Sequence, residues 1–211
     1  MERLISLLIG YCFGMFQTGY IYGRVTRHSD IRDYGSHNAG STNILRTWGP
    51  GAALIVFLGD AFKAIFAMTL VRVVFRESAD ADLWAMYAAL GVALGHDYPF
   101  YLKFRGGKGI AAMAGVMTAM DIRISLVCLV IFSGTVFLTR YVSLGSILIS
   151  LTFFLMNAAF CLAGYYTVAP AGRTEFVIIT LVIVLLAIGR HHANIRRLLT
   201  GTENRISIPK K

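Results

Sequence analysis

Residues 52–75 read AALIVFLGDAFKAIFAMTLVRVVF, a largely apolar run that is long enough to cross a lipid bilayer. The chain has 211 residues, of which 56% are hydrophobic and only 15% charged, so a water-soluble fold of this size could not bury its apolar surface. We therefore expect an all-α, polytopic integral membrane protein with a single domain over residues 1–211. The other predicted spans are Leu4–Gly23, Leu83–Tyr98, Ile122–Thr139, Val142–Ala163 and Phe176–Gly189, with a shorter apolar run at Ile110–Met120.

The distribution of basic residues indicates whether Ile110–Met120 also crosses, because cytoplasmic segments collect Lys and Arg. If it crosses, there are seven transmembrane helices with the fourth short, an N-terminus outside and a cytoplasmic C-terminus. Segments 24–51, 97–109 and 140–141 then share a side with the tail from residue 190, and these four regions hold 14 of the 20 basic residues. Six spans would move the four arginines of segment 24–51 outside, so we predict seven. The first lacks a small-residue cleavage site and is expected to be retained.

The charge balance limits the partners of the parts outside the bilayer. Twenty Lys and Arg stand against 11 Asp and Glu, a formal net charge of +9, which predicts anionic partners. Lipid headgroups, phosphorylated metabolites and nucleic acid all meet that description. Cys12, Cys128 and Cys161 lie in apolar runs without metal-ligand spacing, so neither a zinc site nor a disulfide framework is expected.

The first polar segment between spans is GSHNAGSTNILR, residues 35–46. Its glycines permit close backbone approach, its hydroxyls and carboxamides supply hydrogen bonds, and Arg46 offers a bidentate fork suited to phosphate or carboxylate. A plain connecting loop has a similar composition, but the density of small hydrogen-bonding residues exceeds what a turn needs. We interpret the segment as a candidate anion site.

The second segment is GHDYPFYLKFRGGKG, residues 95–109, which runs directly into the short apolar run. A Gly-Gly-Lys-Gly turn that opens a helix is suited to phosphate, because free backbone N–H groups and the positive helix end face the anion while Lys108 adds a charge. It is not a Walker A loop, since no strand precedes it and Gly109 follows the lysine. The alternative is an ordinary cytoplasmic lysine.

Two further segments carry hydrogen-bonding side chains on the same predicted side. In RYVSLGS, residues 140–146, Ser143 has the alternative role of a helix N-cap. In RHHANIRRLLTGTE, residues 190–203, His191 and Asn194 lie three apart and would share one face of a continuing helix. A basic stop-transfer tail explains the arginines there, but not the His and Asn.

Two other patterns have competing explanations. His28 and Asp33 have the His-x4-Asp spacing of many lipid acyltransferases, but this spacing is common by chance and we assign it no role. Asp60 and Lys63 lie three apart inside a span, where unpaired charges are costly, so they are expected to pair with each other or with nearby polar groups. An architectural and a functional role remain open for that pair.

Taken in order, GSHNAGSTNILR, GHDYPFYLKFRGGKGIA, RYVSLGSI and RHHANIRRLLTGTENR resemble the bacterial acyl-phosphate-dependent glycerol-3-phosphate acyltransferase family over essentially the whole chain. The resemblance implies seven spans and transfer of a fatty acyl group from acyl phosphate to the 1-hydroxyl of glycerol 3-phosphate. The products would be lysophosphatidic acid and phosphate, in phospholipid biosynthesis. It further implies a multi-pass protein of the bacterial inner (plasma) membrane whose active site faces the cytoplasm.

The resemblance also implies the site residues. Catalytic roles fall on Ser36, Lys108 and His191, and substrate-binding roles on Asn38, Thr42, Asn43, Arg46, Gly107, Ser146 and Asn194. The resemblance implies no metal and no cofactor. The expected partners are glycerol 3-phosphate, acyl phosphate and membrane lipids, and no nucleic acid is expected. The protein is expected to be a monomer. His37 stands where the family usually has glycine, and Ala193 where an acidic residue is common.

A transporter or channel for an organic phosphate is the alternative function, because intramembrane charges and short helices also suit transport. Such a protein is expected to contain inverted repeats and polar motifs near midspan. Here we find no internal repeat, and the polar segments lie on one predicted side of the membrane. The sequence therefore favours acyl transfer at the membrane surface.

Overall fold

The structure, a computed structural model that describes residues 1–206, contains helices and no strands in that range. The helices are α1 Glu2–Gly14, α2 Thr18–Thr26, α3 Ser41–Trp48, α4 Pro50–Val74, α5 Ala81–Asp97, α6 Ile110–Met120, α7 Ile122–Thr139, α8 Val142–Leu162, α9 Arg173–Arg190 and α10 His192–Leu199. Short 3₁₀ turns occupy Ile31–Asp33, Phe100–Leu102 and Pro170–Gly172. Lys210 and Lys211, which contribute to the predicted cytoplasmic tail, lie outside the described residues.

Five helical stretches are long and apolar enough to cross a membrane. They are Glu2–Thr26, Pro50–Val74, Ile122–Thr139, Val142–Leu162 and Pro170–Arg190. The remaining two predicted spans are shorter helices, α5 with 17 residues and α6 with 11. The all-helical prediction is confirmed over residues 1–206, whereas the count of seven spans stays a prediction.

Helix α5 lies at the centre of the bundle and contacts α1, α4, α6 and α9. Most of its residues are buried, whereas α7 presents large apolar side chains outward, with Phe137 and Leu138 each 80% exposed. An apolar outer face is expected where lipid rather than water surrounds the helices. Close packing of α1 on α5 depends on small residues, because a Cβ added at Gly91 would collide with the backbone of α1.

The first predicted span, Leu4–Gly23, differs from expectation because it is broken between α1 and α2. The break frees the carbonyls of Gly14 and Phe16, and both accept hydrogen bonds from Lys63 Nζ, at 3.1 and 2.5 Å. A backbone break at this depth requires such internal partners. Lys63 Nζ also lies 2.9 Å from Asp60 Oδ1, which confirms that the two charges of α4 pair with each other.

Candidate active site

A cavity of about 850 Å³ lies at the end of the bundle where the four polar segments meet. Nine of the ten predicted site residues line it: Ser36, Asn38, Thr42, Asn43, Arg46, Lys108, Ser146, His191 and Asn194. They come from the loop before α3, from α3, from the glycine turn before α6, from the start of α8 and from the α9–α10 junction. Segments that are far apart along the chain thus form one site.

A chain of hydrogen bonds connects the centre of this cavity to the C-terminal tail. Lys108 Nζ donates to Asn194 Oδ1, and Asn194 Nδ2 donates to Glu203 Oε1 at 2.7 Å. Glu203 also accepts from Ser143 Oγ at 2.8 Å and from Arg197 Nε at 2.7 Å. The Glu203 carboxylate accepts only, so it fixes the orientation of the Asn194 amide and directs Oδ1 toward Lys108.

The two charged groups at the ends of this chain have shifted pKa values. Burial lowers the pKa of the half-buried Lys108, and the nearby Arg197 cation lowers it further. Burial raises the pKa of Glu203, but hydrogen bonds from Asn194, Ser143 and Arg197 outweigh that effect and leave it below its ordinary value. Among the described residues, the cavity lining therefore carries four cationic side chains against the two carboxylates of Glu203 and Asp60, an arrangement suited to anionic ligands.

His191 is buried at the junction of α9 and α10 and lines the cavity. Its Nδ1 lies 2.8 Å from the Ala187 carbonyl oxygen, which can only accept, so Nδ1 carries a proton and Nε2 is the nitrogen left for a ligand. Burial and the adjacent Lys108 cation lower its pKa. In the absence of a bound anion, the ring is therefore expected to be neutral near pH 7.

The Asn43 carboxamide is occupied by hydrogen bonds within the protein, although the sequence predicts that it binds substrate. Its Oδ1 accepts from Ser36 N at 2.9 Å, and its Nδ2 donates to the carbonyls of Tyr34 and Asn38 at 2.9 and 3.0 Å. The carboxamide thus holds the loop before α3 in shape. Ser36 and Arg46 are exposed at the cavity, and Arg46 makes a long contact of 3.5 Å with the Asn204 carbonyl.

Gly107 departs from the sequence expectation because it is buried beneath the cavity and does not line it. Its N–H donates to the His96 carbonyl at 3.1 Å, so that group is used in the fold. Arg190 donates to the Gly107 carbonyl at 2.8 and 3.1 Å and holds the turn from the other side. Ile110 and Ala111 of the first turn of α6 line the cavity, and the N–H groups of a first helical turn have no partners within the helix.

Sequence reasoning missed four residues of this site: Ser143, Arg190, Arg197 and Glu203. The local pattern indicates a helix cap for Ser143 and a basic tail for the two arginines. The available signal was Glu203, the only acid in the tail from residue 190 onward. A lone acid among arginines indicates a specific pairing role rather than a solvated surface.

One wall of the cavity is apolar and is formed by α4 and α7. Leu54 and Phe57 of α4 and Phe132 and Val136 of α7 line it. In residues 1–206, no group of three or more His, Cys, Asp or Glu side chains is arranged to hold a metal ion. The cavity therefore combines a polar, positively charged end with an apolar side, as an amphipathic substrate requires.

Comparisons with known proteins identify the family of this chain. The family model described as glycerol-3-phosphate acyltransferase matches residues 4–201. A protein of Thermoanaerobacter sp. (strain X514) named glycerol-3-phosphate acyltransferase is 40% identical over 206 residues, which cover 98% of this chain and 96% of that protein.

Two crystal structures of PlsY (YgiH), an integral membrane glycerol 3-phosphate acyltransferase, are also similar. The glycerol 3-phosphate form has a TM-score of 0.83 at 31% identity, and the lysophosphatidic acid form a TM-score of 0.81 at 30% identity. Each comparison covers 98% of this chain and 96% of the other. This chain, an integral membrane protein with several apolar helices, therefore belongs to the glycerol-3-phosphate acyltransferase family.

Proposed function

We propose that this protein transfers a fatty acyl group from acyl phosphate to the 1-hydroxyl of glycerol 3-phosphate, giving lysophosphatidic acid and phosphate. The observation that carries the proposal is the single cavity in which Lys108, His191 and Asn194 meet the loop before α3. Family membership supports the acceptor, because relatives are named for glycerol 3-phosphate and PlsY is known in glycerol 3-phosphate and lysophosphatidic acid forms.

Acyl phosphate as the donor is supported by the chemistry of the cavity walls. Two phosphate groups require several cations and donors, and Lys108, Arg46 and Arg197 all line the cavity. The apolar wall of α4 and α7 offers a place for a fatty acyl chain. One cavity can thus accommodate an anionic head and an apolar chain.

The protein's contribution to the reaction is positioning and charge neutralisation. Acyl phosphate is already activated, so the site must hold two mutually repelling anions with the acceptor hydroxyl against the acyl carbon. At an effective dielectric constant near 20, a pair of opposite charges about 4 Å apart gains roughly 4 kcal/mol, so Lys108 and Arg46 would offset much of this repulsion. Ser36, Asn38, Thr42 and Ser146 add hydrogen bonds to the phosphates.

The acceptor hydroxyl proton passes to a phosphate oxygen of the substrate in this proposal. His191 positions phosphate: bound dianions favour its doubly protonated ring, whose Nε2–H then donates to phosphate oxygen while Nδ1–H stays on the Ala187 carbonyl. Attack of the 1-oxygen on the acyl carbon forms the ester bond and breaks the bond from acyl carbon to phosphate oxygen. Inorganic phosphate leaves with the proton.

The membrane arrangement proposed for the chain is a single domain of seven spans with the cavity on the cytoplasmic face of the bacterial inner membrane. The first span consists of α1 and α2 together, and α6 is the short fourth span. The excess of basic residues on the cavity's side supports this orientation. The protein is proposed to act as a monomer.

The donor is tested by offering labelled glycerol 3-phosphate to the purified protein with palmitoyl phosphate, palmitoyl-CoA or palmitoyl acyl carrier protein in parallel. We expect lysophosphatidic acid from palmitoyl phosphate alone. Formation from palmitoyl-CoA but not from palmitoyl phosphate would contradict the donor while leaving the acceptor intact. Absence of lysophosphatidic acid with every donor would contradict the acyl-transfer function itself.

A further inference from the structure

A buried ionic cluster beneath the glycine turn has no part in the reaction described above. Lys63 is 5% exposed and Asp60 1% exposed, and both belong to α4. Lys63 Nζ contacts Asp60 Oδ1 at 2.9 Å and His96 Nδ1 at 2.8 Å. A buried ion pair stabilises a fold only weakly, so its presence so close to the cavity calls for a specific reason.

The cluster joins the break in the first span to α4 and α5. Lys63 Nζ donates to the Gly14 and Phe16 carbonyls, and Thr18 Oγ1 donates to Asp60 Oδ1 at 2.9 Å. Gln17, in the break itself, donates from Nε2 to the His96 carbonyl at 2.8 Å. His96 is therefore held both through its ring and through its backbone.

The contact with Lys63 determines which ring nitrogen of His96 carries the proton. Lys63 Nζ lies 2.9 Å from the Asp60 carboxylate, and as an ammonium group it donates and has no lone pair to accept. His96 Nδ1, 2.8 Å from this cation, therefore presents its lone pair to it, which places the proton on Nε2 and leaves the ring neutral. The Nε2–H group lies on the opposite side of the ring from Lys63.

That side of the ring faces the glycine turn. A Cβ added at Gly107 would collide with His96 Nε2, so ring and turn are in direct contact. The His96 carbonyl accepts the Gly107 N–H at 3.1 Å, and the Asp97 carbonyl accepts the Gly106 N–H at 3.1 Å. Asp60 and His96 also reach the cavity wall, so the cluster is continuous with the substrate site.

We propose that Lys63 is a positioning residue for acyl transfer: it fixes the orientation and the Nε2–H tautomer of His96, and His96 in turn sets the height and direction of the turn at 106–109. The turn carries Lys108 and leads into the N-terminus of α6. A shift of about 1 Å at a site of this kind costs on the order of a hundredfold in rate. The inference rests on the proposed function for its kinetic readout alone.

The test uses the double variant Asp60→Asn/Lys63→Met in the full chain. Lys63→Met alone would leave Asp60 as an unpaired buried charge, whereas the double variant removes both charges and keeps similar volumes. We expect a folded protein with a melting temperature near that of the wild type and kcat/KM lower by about tenfold or more. Loss of folding, or wild-type kcat and KM, would overturn the proposal.

The matched control is Asn157→Leu/Thr180→Val, which removes another fully buried polar pair, joined by a hydrogen bond of 3.1 Å between α8 and α9. Neither residue lines the cavity, and both lie well along their helices from the ends that reach it. The control is expected to keep wild-type kcat/KM whatever its stability. An equal loss of kcat/KM in the control and in the double variant would mean that the ionic cluster acts only through general packing, and it would overturn the proposal.

A spectroscopic readout separates this inference from the proposed function. Histidine ¹⁵N shifts of the wild-type protein should report a neutral Nε2–H tautomer for His96. The double variant should populate the Nδ1–H form, because neither substituted side chain provides an ammonium donor. A wild-type His96 in the Nδ1–H form would overturn the inference even in an active enzyme. A wild-type protein that makes no lysophosphatidic acid would instead overturn the proposed function, and the tautomer result would still decide the inference.

Discussion

Lys108 is the residue at which positive charge and burial conflict most directly. Its ammonium group is half-buried, contacts Asn194 and lies among the Arg46, Arg190 and Arg197 cations, which all disfavour its charge. An unliganded site of this kind stores electrostatic repulsion that a bound phosphate relieves. The residue is thus suited to recognise an anion rather than to stabilise the empty fold.

Replacing Lys108 by alanine is expected to lower kcat/KM about a hundredfold or more, because one electrostatic donor to a partly desolvated anion is lost. Steady-state kinetics with palmitoyl phosphate measure the effect. Lys103→Ala is the matched control, since Lys103 is exposed and lies outside the cavity. His28→Ala should also retain near-normal turnover. Equal activity of Lys108→Ala and the wild type would remove the glycine turn from the active site.

Glu203 connects pH to stability. Its folded pKa lies below the ordinary value of 4.5, so the carboxylate contributes stability that is present above pH 4.5 and is lost as pH falls through the lower, folded pKa. We expect the melting temperature to fall below pH 4.5 in the wild type and to vary less with pH in Glu203→Gln. An unchanged acid profile in that variant would assign the transition to another group.

Residue 37 illustrates a backbone requirement. His37 has a φ of 55°, in the left-handed region, although it has a side chain. Its Nδ1 contacts the Arg32 carbonyl oxygen at 2.9 Å, a local bond that compensates part of the cost. Alanine would lose this bond and keep the strain.

We therefore expect His37→Ala to be less stable than His37→Gly by about 1 kcal/mol, with acyl transfer retained better in the glycine variant. Thermal melting and kinetics of the two purified variants test the difference. Equal melting temperatures would indicate that the loop accepts either residue at this φ.

At the scale of elements, the contact between α1 and α5 depends on the absence of side chains. A Cβ at Gly91 would collide with the Leu7 carbonyl oxygen and the Tyr11 amide nitrogen, both of them backbone atoms that cannot turn away. Separating the two helices would also disturb the break at 15–17 and the His96 carbonyl to which Gln17 donates. The packing of these helices and the geometry of the site are thus coupled.

Gly91→Leu is expected to destabilise the protein by about 2 kcal/mol or more through overpacking. Gly134→Leu is the matched control, because within residues 1–206 no further neighbouring atom lies within 4 Å of a Cβ added at Gly134. Thermal melting in detergent should separate the two variants clearly. Similar melting temperatures would mean that α1 and α5 can move apart at little cost.

For the whole molecule, the proposed orientation can be checked with single cysteines at positions 2 and 205 in a background lacking Cys12, Cys128 and Cys161. We expect a membrane-impermeant thiol reagent to label position 2 from outside intact cells and position 205 only after permeabilisation. Labelling of both positions from the same side would contradict seven spans.

Much of the fold could be predicted from the sequence, because apolar runs report helices directly. Two helices, α6 and α7, have the predicted bounds Ile110–Met120 and Ile122–Thr139. The break after Gly14 could not be predicted, since it depends on Lys63, nearly fifty residues further along the chain. The residues around Gly14 do not indicate that a distant side chain will bind the carbonyls of the break.

The candidate site was predictable to a similar extent. Small polar residues in Gly-rich loops identified the cavity lining. They did not show which N–H groups and carboxamides form hydrogen bonds within the fold and are therefore not free to bind a ligand. Gly107 and Asn43 are both engaged in internal hydrogen bonds that only the assembled loops create. The role of Glu203 likewise depends on Ser143, sixty residues away, which donates to it.

The ion pair within α4 also bears on how the chain is synthesised and inserted. Asp60 and Lys63 lie one turn apart on the same helix, so they neutralise each other before any neighbour arrives, and the cost of about 3 kcal/mol for a single charge at midspan is reduced. Lys63 has three further partners. The Gly14 and Phe16 carbonyls belong to the first span, which is made earlier, and the His96 ring belongs to α5, which is made later. The translocon can therefore release α4 as an acceptable span, and the lysine then selects its correct neighbours within the bilayer.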